Sequence, residues 1–183
     1  MDRETAWALL NEYTSNPGLI KHALAVEAGM RAYARQFGED EDAWGIIGLL
    51  HDFDYERYPT RDDHPYRGAE VLRGMGVSED WIRTILSHTD YTGVPRDTLV
   101  AKVLFAVDEL CGFLTACALV RPDKKIATVE VPSVRKKMKT KAFAAQVSRE
   151  DIIAGAEQLG VDLDRHIAVV RDAMASIAGE LNL

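Results

Sequence analysis

Cysteine and long apolar runs are scarce in this sequence. Two cysteines, Cys111 and Cys117, occur among 183 residues, six positions apart in an apolar segment. This spacing matches neither a Cys-x-x-Cys metal knuckle nor a disulfide framework, so we expect two free, buried thiols. No apolar stretch approaches the ~20 residues that a transmembrane helix needs. The Met-Asp-Arg-Glu start also lacks the basic and apolar regions of a signal peptide. These features predict a cytoplasmic protein without a membrane anchor.

Basic residues are also fewer than a nucleic-acid-binding protein usually carries. The chain has 22 Lys and Arg against 29 Asp and Glu, which gives a net charge of −7. We therefore expect no duplex nucleic acid as a partner. A small phosphorylated substrate is compatible with this balance, because local charge can oppose the overall sign. The sequence indicates no oligomeric state.

Strand-like alternation is weak, whereas helical periodicity covers most of the chain. The pattern predicts an all-α, compact helical bundle. Its length suits a single domain over 1–183, with the candidate ligands in 18–118 and C-terminal helices in 133–183 packing on that region. We expect Ser78 to cap a helix, and residues 121–132 to be irregular or extended. The predicted helices span residues 2–14, 18–37, 40–52, 64–74, 78–88, 97–119, 148–159 and 162–180.

Histidines at helix ends and on apolar faces are the candidate functional residues. His51 and Asp52 end a nearly all-apolar predicted helix, where both side chains can reach one point. The dipeptide is common by chance and is weak evidence alone. His22 lies on an apolar helix face, where a single histidine is more often a core residue. His64 starts a predicted helix and His88 ends one, and each alone would be a surface or capping residue.

Asp108 has no simple structural explanation. It shares a face with Leu104, Val107 and Cys111 on the most apolar predicted helix. An unpaired carboxylate is unfavourable there, so a basic residue, a proton or a metal must neutralise it. One metal centre explains all these residues together, whereas the alternative needs a separate reason for each. The sequence therefore predicts a single metal centre built from His22, His51, Asp52, His64, His88 and Asp108.

The order of these residues resembles a known family signature. His22, the pair His51-Asp52 and Asp108 are similar in order to the HD superfamily of metal-dependent phosphohydrolases, over residues 18–118. The stretch His64-Pro-Tyr-Arg-Gly-Ala-Glu-Val-Leu, followed by His88, resembles the subfamilies with a binuclear centre. The resemblance implies a helical bundle with its ligands in a central cleft. The implied ligands are His22, His51, Asp52 and Asp108 for a first metal, and Asp52, His64 and His88 for a second.

The implied activity is hydrolysis of a small phosphate ester, nucleotide or phosphodiester by a metal-activated water or hydroxide. Imidazole and carboxylate ligands suit one or two divalent ions of Fe, Mn, Co, Ni or Zn, with Mg also possible. Asp52 and Asp54 are the catalytic candidates, and Asp54 would orient the water or interact with the leaving-group proton. Capping of the following loop is an equally open role for Asp54. The residues after the His-Asp pair and after His88 differ from those of the cyclic-dinucleotide hydrolases, so no substrate is indicated.

Basic residues near the candidate ligands are possible substrate contacts. Arg67 and Arg61 flank His64 and could contact phosphate, although a solvated loop is the favoured interpretation for Arg61. A basic segment could form a lid that attracts an anionic ligand, or it could be a solvated helix face. Its residues are Arg135, Lys136, Lys137, Lys139 and Lys141.

Three alternatives stay open from the sequence. The first is a mononuclear enzyme similar to 5′-nucleotidases, with His64 and His88 merely nearby. The second is a non-catalytic nucleotide-binding sensor that has kept the fold. The third is a helical scaffold in which the histidines are coincidental.

Overall fold

Ten α-helices and no β-strands make up the protein, which confirms the all-α prediction. Eight helices were predicted; Val131–Met138 is an additional one, and the predicted helix 162–180 is divided in two. A computed structural model describes all 183 residues. None of its helices combines the length and the apolar character needed to cross a lipid bilayer. The helices are α1 (Arg3–Tyr13), α2 (Pro17–Phe37), α3 (Glu41–Leu50), α4 (Tyr66–Gly74), α5 (Glu79–Leu86), α6 (Leu99–Leu119), α7 (Val131–Met138), α8 (Arg149–Leu159), α9 (Leu163–Ser176) and α10 (Ala178–Leu181).

Short polar side chains begin most of the long helices. The Asp40 carboxylate accepts a hydrogen bond from the backbone N–H of Ala43 at the start of α3. Thr98 caps α6 in the same way, which satisfies an N–H group that has no partner inside the helix. Ser78 was expected to cap α5, and this expectation is wrong in its detail. It occupies the N-cap position, but its side chain makes no capping hydrogen bond.

The helices next to the candidate ligands are shorter than predicted. Helix α3 ends at Leu50 and α5 ends at Leu86, each two residues earlier than expected. Helix α4 begins at Tyr66, because Pro65 disfavours helical geometry in the residue before it. His51, Asp52, His64 and His88 therefore lie just outside helix ends. At such positions their side chains are free to turn towards one common cleft.

Helices α2, α3 and α6 form the centre of the bundle. Helix α3 lies very close to α2 at Gly48, where an added Cβ would be 2.8 Å from Met30 Cγ and 3.1 Å from the carbonyl oxygen of Val26. Only glycine permits this approach. On α6, Val107 and Cys111 are completely buried. Both cysteines are free and buried, which confirms that prediction.

The C-terminal helices pack onto this central layer. Helix α8 lies so close to α6 that a Cβ on Gly155 would be 2.6 Å from the Ala106 Cα. Helix α9 packs against α2 and α6 through the fully buried His166. Its Nε2–H donates to the Ala106 carbonyl (2.8 Å), and its Nδ1 accepts from the Tyr33 hydroxyl (2.6 Å). One continuous hydrophobic core extends from Ala6 in α1 to Leu181 in α10.

The basic segment is helical over most of its length. Arg135, Lys136 and Lys137 lie in α7, which already begins at Val131. The stretch 121–132 was expected to be irregular or extended, and this holds apart from a 3₁₀ turn at Ile126–Thr128 and the first residues of α7. The Pro132 ring suits the first turn of a helix, where its missing N–H would have no partner in any case.

Candidate metal centre

Three of the predicted ligands meet where α2, α3 and α6 come together. His22 projects from α2, His51 follows the last residue of α3, and Asp108 projects from α6. One Asp108 oxygen, Oδ1, is 3.0 Å from His22 Nε2 and 3.4 Å from His51 Nε2. The donor atoms of this first group lie within 4.8 Å of one another, which is close enough to bind one ion.

A second group lies beside the first and contains the other three predicted ligands. Asp52 Oδ1 is 3.2 Å from His64 Nε2 and 3.1 Å from His88 Nε2. The other oxygen of Asp52, Oδ2, is 3.5 Å from His51 Nε2 in the first group. The Asp52 carboxylate therefore stands between the two groups, with one oxygen facing each. The structure brings together all six residues that the sequence indicated.

Backbone carbonyls orient two of the imidazoles. His51 Nδ1–H donates to the carbonyl of Gly48 over 2.8 Å. His88 Nδ1–H donates to the carbonyl of Ile85 over 2.6 Å. Because a carbonyl only accepts, these bonds place the proton of the neutral ring on Nδ1 and leave the Nε2 lone pair directed at the carboxylates. Histidines that bind metals are usually held in this way by their second nitrogen.

Asp54 orients the third imidazole, that of His64. Its Oδ1 accepts from His64 Nδ1–H (2.8 Å), and its Oδ2 accepts from the backbone N–H of Gly68 (2.8 Å). The Asp54 side chain is only 1% exposed, and it does not line the cleft described below. Both Asp54 oxygens accept hydrogen bonds inside the protein, so the side chain does not lie where the predicted contact with water or the leaving group requires it. Asp54 is a positioning residue for His64.

The carboxylates of the two ligand groups stabilise positive charge on the atoms around them. Burial of the His51 imidazole opposes its ionisation, but the negative charges of Asp52 and Asp108 outweigh this and raise its pKa to about 10. Burial likewise opposes ionisation of His64, whose hydrogen bonds to Asp52 and Asp54 raise its pKa to about 9. Burial would raise the pKa of Asp108, yet His51 and His22 lower it well below its usual value. The carboxylates thus remain negative and attract cations.

The residues present fit one or two divalent metal ions. His51 Nε2 is buried and has no hydrogen-bond partner, although two carboxylates lie within 3.5 Å. A buried ring nitrogen without a hydrogen-bond partner is costly, and the two carboxylates favour a positive charge there, which a proton or a metal ion can supply. The donors are imidazole nitrogens and carboxylate oxygens only, which suits divalent first-row transition metals. Asp108 is less buried than expected, with 18% of its side chain exposed, because this part of α6 faces a cleft.

A cleft of about 940 Å³ opens over both groups. Five of the six candidate ligands line it: His22, Asp52, His64, His88 and Asp108. His51 lies behind them, completely buried. Both groups can therefore meet a molecule that enters from solvent.

The two arginines that flank His64 in the sequence differ in whether they line the cleft. Arg61, for which a solvated loop was favoured, lines the cleft. Arg67 does not line it, and its guanidinium pairs on the outer surface with Asp63 (3.2 Å) and Glu70 (3.1 Å). These local ion pairs follow from helical spacing, since Asp63 precedes Arg67 by four residues and Glu70 follows it by three.

The basic segment lies away from the cleft lining. Arg135 pairs with Asp164 at 3.4 Å, and the Lys137 ammonium donates to the Ser133 hydroxyl at 3.1 Å. Lys136 and Lys139 are on the same segment, and neither lines the cleft. The structure therefore does not bring these four cations together with the candidate ligands.

Three further cleft residues were not singled out from the sequence as site residues. Tyr91 donates its hydroxyl hydrogen bond to the backbone carbonyl of His64 (3.1 Å), and the Tyr55 ring meets the His64 ring edge-on at 5.2 Å. Burial and the adjacent Asp108 raise the pKa of Glu109 to about 7. Each of the three lies within three positions of a candidate ligand in the sequence, and this proximity is the only signal that could have indicated them.

A comparison with protein families agrees with this geometry. No solved structure matches the chain. A family model described as HD domain matches residues 19–112, just over half of the chain. The matched span contains both groups of candidate ligands and the Asp52 carboxylate between them. The chain belongs to the HD domain family.

Proposed function

We propose that this protein hydrolyses a small phosphate ester with the help of two divalent metal ions held side by side. Membership of the HD domain family supports metal-dependent phosphohydrolase activity in general. The arrangement that carries the two-ion proposal is the Asp52 carboxylate, whose oxygens face different groups at 3.1 and 3.5 Å. A carboxylate that faces both groups could serve two ions that share a reaction centre.

The residues have distinct parts in this proposal. His22, His51 and Asp108 would hold the first ion, His64 and His88 the second, and Asp52 both. Two ions bound there would lower the pKa of an attacking water and stabilise the charge of the phosphoryl oxygens. The backbone carbonyls behind the imidazoles and the Asp54 carboxylate keep the nitrogen lone pairs aimed at one place. The protein itself needs to supply no nucleophilic side chain.

The substrate class follows from the size and charge of the cleft. A volume of about 940 Å³ admits a small phosphorylated molecule. The net charge of −7 and a basic segment outside the cleft lining give no support for duplex nucleic acid as a substrate. We infer that the partner is a small phosphate ester, a nucleotide among the possibilities.

A mononuclear enzyme similar to 5′-nucleotidases is the nearest alternative. It would leave His64 and His88 without a metal, although their Nε2 atoms lie 3.3 Å apart and both face Asp52. Metal analysis separates the two cases. We expect about two metal equivalents per chain and about one in His88→Ala, since a two-ion site loses one ion with its ligand. One equivalent in both proteins would support the mononuclear alternative.

A non-catalytic nucleotide-binding sensor is the second alternative. Activity assays on metal-reconstituted protein, with a broad panel of phosphomonoesters, nucleotides and phosphodiesters, test it directly. We expect turnover of at least one phosphoester, which stops on chelation and returns with added metal. A metal-loaded protein that binds nucleotides and hydrolyses no member of the panel would favour the sensor.

Chelation also has a consequence for stability. An ion that binds the folded protein and not the unfolded chain stabilises the fold, so its removal should lower the melting temperature. His51→Ala should show a smaller response to the chelator than the unaltered protein. Equal melting temperatures with and without chelator, and an unaltered stability of His51→Ala, would favour a scaffold with coincidental histidines.

The lid role of the basic segment is a separate proposal. If Lys136 and Lys139 attract anions over a distance, replacing both with Gln should raise KM at low salt and have little effect at high salt, where charges are screened. Lys124 and Lys125, replaced in the same way, are the control. A KM that is unchanged at low salt would leave the segment as a solvated helix face.

A further inference from the structure

Arg61 is the only lysine or arginine in the lining of the cleft. Its guanidinium forms no ion pair with any carboxylate of the protein. The next arginine near the cleft, Arg96, is in contrast paired with Asp90 and donates to the Ser87 carbonyl. An arginine that makes no hydrogen bond or ion pair within the protein has its N–H donors available for a ligand.

The position of Arg61 connects it to the second ligand group. Its guanidinium carbon lies 5.3 Å from the centre of the Tyr91 ring, which is the distance of a cation–π contact. The Tyr91 hydroxyl in turn donates to the backbone carbonyl of His64 over 3.1 Å. Arg61 therefore lies against the ring of a tyrosine whose hydroxyl is bonded to the His64 backbone.

The other ionisable residues in the lining, apart from the histidines and tyrosines, are carboxylates. Apart from the candidate ligands Asp52 and Asp108, they are Asp90, Glu109 and Asp151. An ester with one phosphate could place its charge between Arg61 and the ions that these ligands would hold. Asp90 is paired with Arg96, so any additional phosphate would have to lie near Glu109 and Asp151, neither of which forms an ion pair. Repulsion of this kind discriminates against polyanionic ligands.

We propose that Arg61, held on the ring of Tyr91, binds the phosphate of the substrate and selects esters that carry a single phosphate group. The planar guanidinium can donate two parallel hydrogen bonds to phosphate oxygens, which an ammonium group cannot. The proposal rests on the proposed phosphohydrolase function, because it names the substrate class of the same site.

Two measurements on the metal-loaded protein test this proposal. Titration calorimetry with inorganic phosphate measures binding without turnover. Steady-state kinetics with a nucleoside monophosphate and the triphosphate of the same nucleoside measure selection. We expect Arg61→Ala to weaken phosphate binding and raise the monophosphate KM about tenfold or more, the usual effect of losing a charged hydrogen bond. Arg61→Lys should restore part of the affinity, and Tyr91→Leu should weaken binding in the same direction.

A matched control removes the same charge elsewhere. Arg73 lies on α4 and pairs with Glu79 at 2.7 Å, outside the cleft. Arg73→Ala should leave phosphate affinity and KM unchanged, and melting curves of all variants show whether each is folded.

The outcomes separate this proposal from the function on which it rests. Phosphate binding that is equal in Arg61→Ala and the unaltered protein, or absent from both, overturns the role of Arg61. A preference of the unaltered protein for the triphosphate overturns the selection of single phosphates. Failure to hydrolyse any ester refutes the phosphohydrolase, but in that case the calorimetry still decides whether Arg61 binds phosphate.

Discussion

Asp54 accepts a hydrogen bond from His64 Nδ1 over 2.8 Å, and the two residues are ten positions apart in the chain. The second Asp54 oxygen accepts from the backbone N–H of Gly68 at the same distance. Gly68 has no room for a side chain here, since an added Cβ would be 2.8 Å from Asp54 Cγ. The Asp54 carboxylate thus joins the segment after α3 to the start of α4 and sets the direction of the His64 ring.

Replacing Asp54 with Asn should weaken the second metal site. An amide can accept from only one of its two donors, His64 or Gly68, and must turn an N–H group towards the other. We expect a loss of about 10- to 100-fold in affinity for the second ion, as for other residues that orient a ligating histidine. Calorimetric titration with Mn²⁺ or Zn²⁺ resolves the two sites, and the first should be unaffected. Equal affinities for the second ion would show that Asp54 only stabilises the loop.

Replacing Asp108 with Asn should abolish most activity. The change keeps the shape of the side chain but removes the negative charge that faces His22 and His51 at 3.0 and 3.4 Å. Since Asp108 would touch the ion itself, kcat/KM should fall by roughly 100-fold or more, beyond the loss at an outer residue. Asp172→Asn is the control, because Asp172 is an exposed partner of Arg171 on α9. Activity that survives in Asp108→Asn would remove Asp108 from the ligand set.

Replacing Gly155 with Ala should destabilise the fold. The new Cβ would be 2.6 Å from the Ala106 Cα, and backbone cannot move aside as a flexible side chain can. Overpacking of this kind costs about 1–3 kcal/mol. Gly74→Ala is the control, because no side chain and no other segment of the chain lies within 4 Å of its Cβ position. Urea unfolding of both variants measures the difference, and equal stabilities would show that α8 can shift relative to α6 at little cost.

Acid should weaken the packing of α9 through His166. Burial lowers the pKa of His166 below its ordinary value of 6.5. Its neutral ring accepts from the Tyr33 hydroxyl and donates to the Ala106 carbonyl, and a protonated ring could no longer accept. The unfolded chain takes up this proton more readily, so the stability contribution is complete above pH 6.5 and is lost as the pH falls towards the lowered pKa.

A variant without the titrating group isolates this effect from that of metal binding. The unfolding free energy of His166→Gln should change less between pH 7.5 and pH 5.5 than that of the unaltered protein, with both measured in chelator. Parallel pH profiles for the two proteins would contradict the assignment.

Much of the fold could be predicted because its determinants are local. Apolar residues at three- and four-residue steps indicate a helix wherever they occur, and Asp40 and Thr98 cap helices through their own neighbouring N–H groups. Helix ends near the candidate site were less predictable, since Ser78 has a suitable side chain but makes no cap. Burial of His51 and Cys111 followed from the apolar residues around them.

The sequence by itself determined which side chains could bind a metal, because imidazoles and carboxylates stand at helix ends and on apolar helix faces where one cation explains them together. Only the tertiary structure decided which residues surround that chemistry. The sequence favoured Arg67 over Arg61 as a substrate contact, yet Arg61 lines the cleft and Arg67 pairs with Asp63 on the outside. Asp54 acts through His64 because both of its oxygens are used inside the protein. The direction of a side chain depends on packing between distant segments, which residue spacing along the chain does not specify.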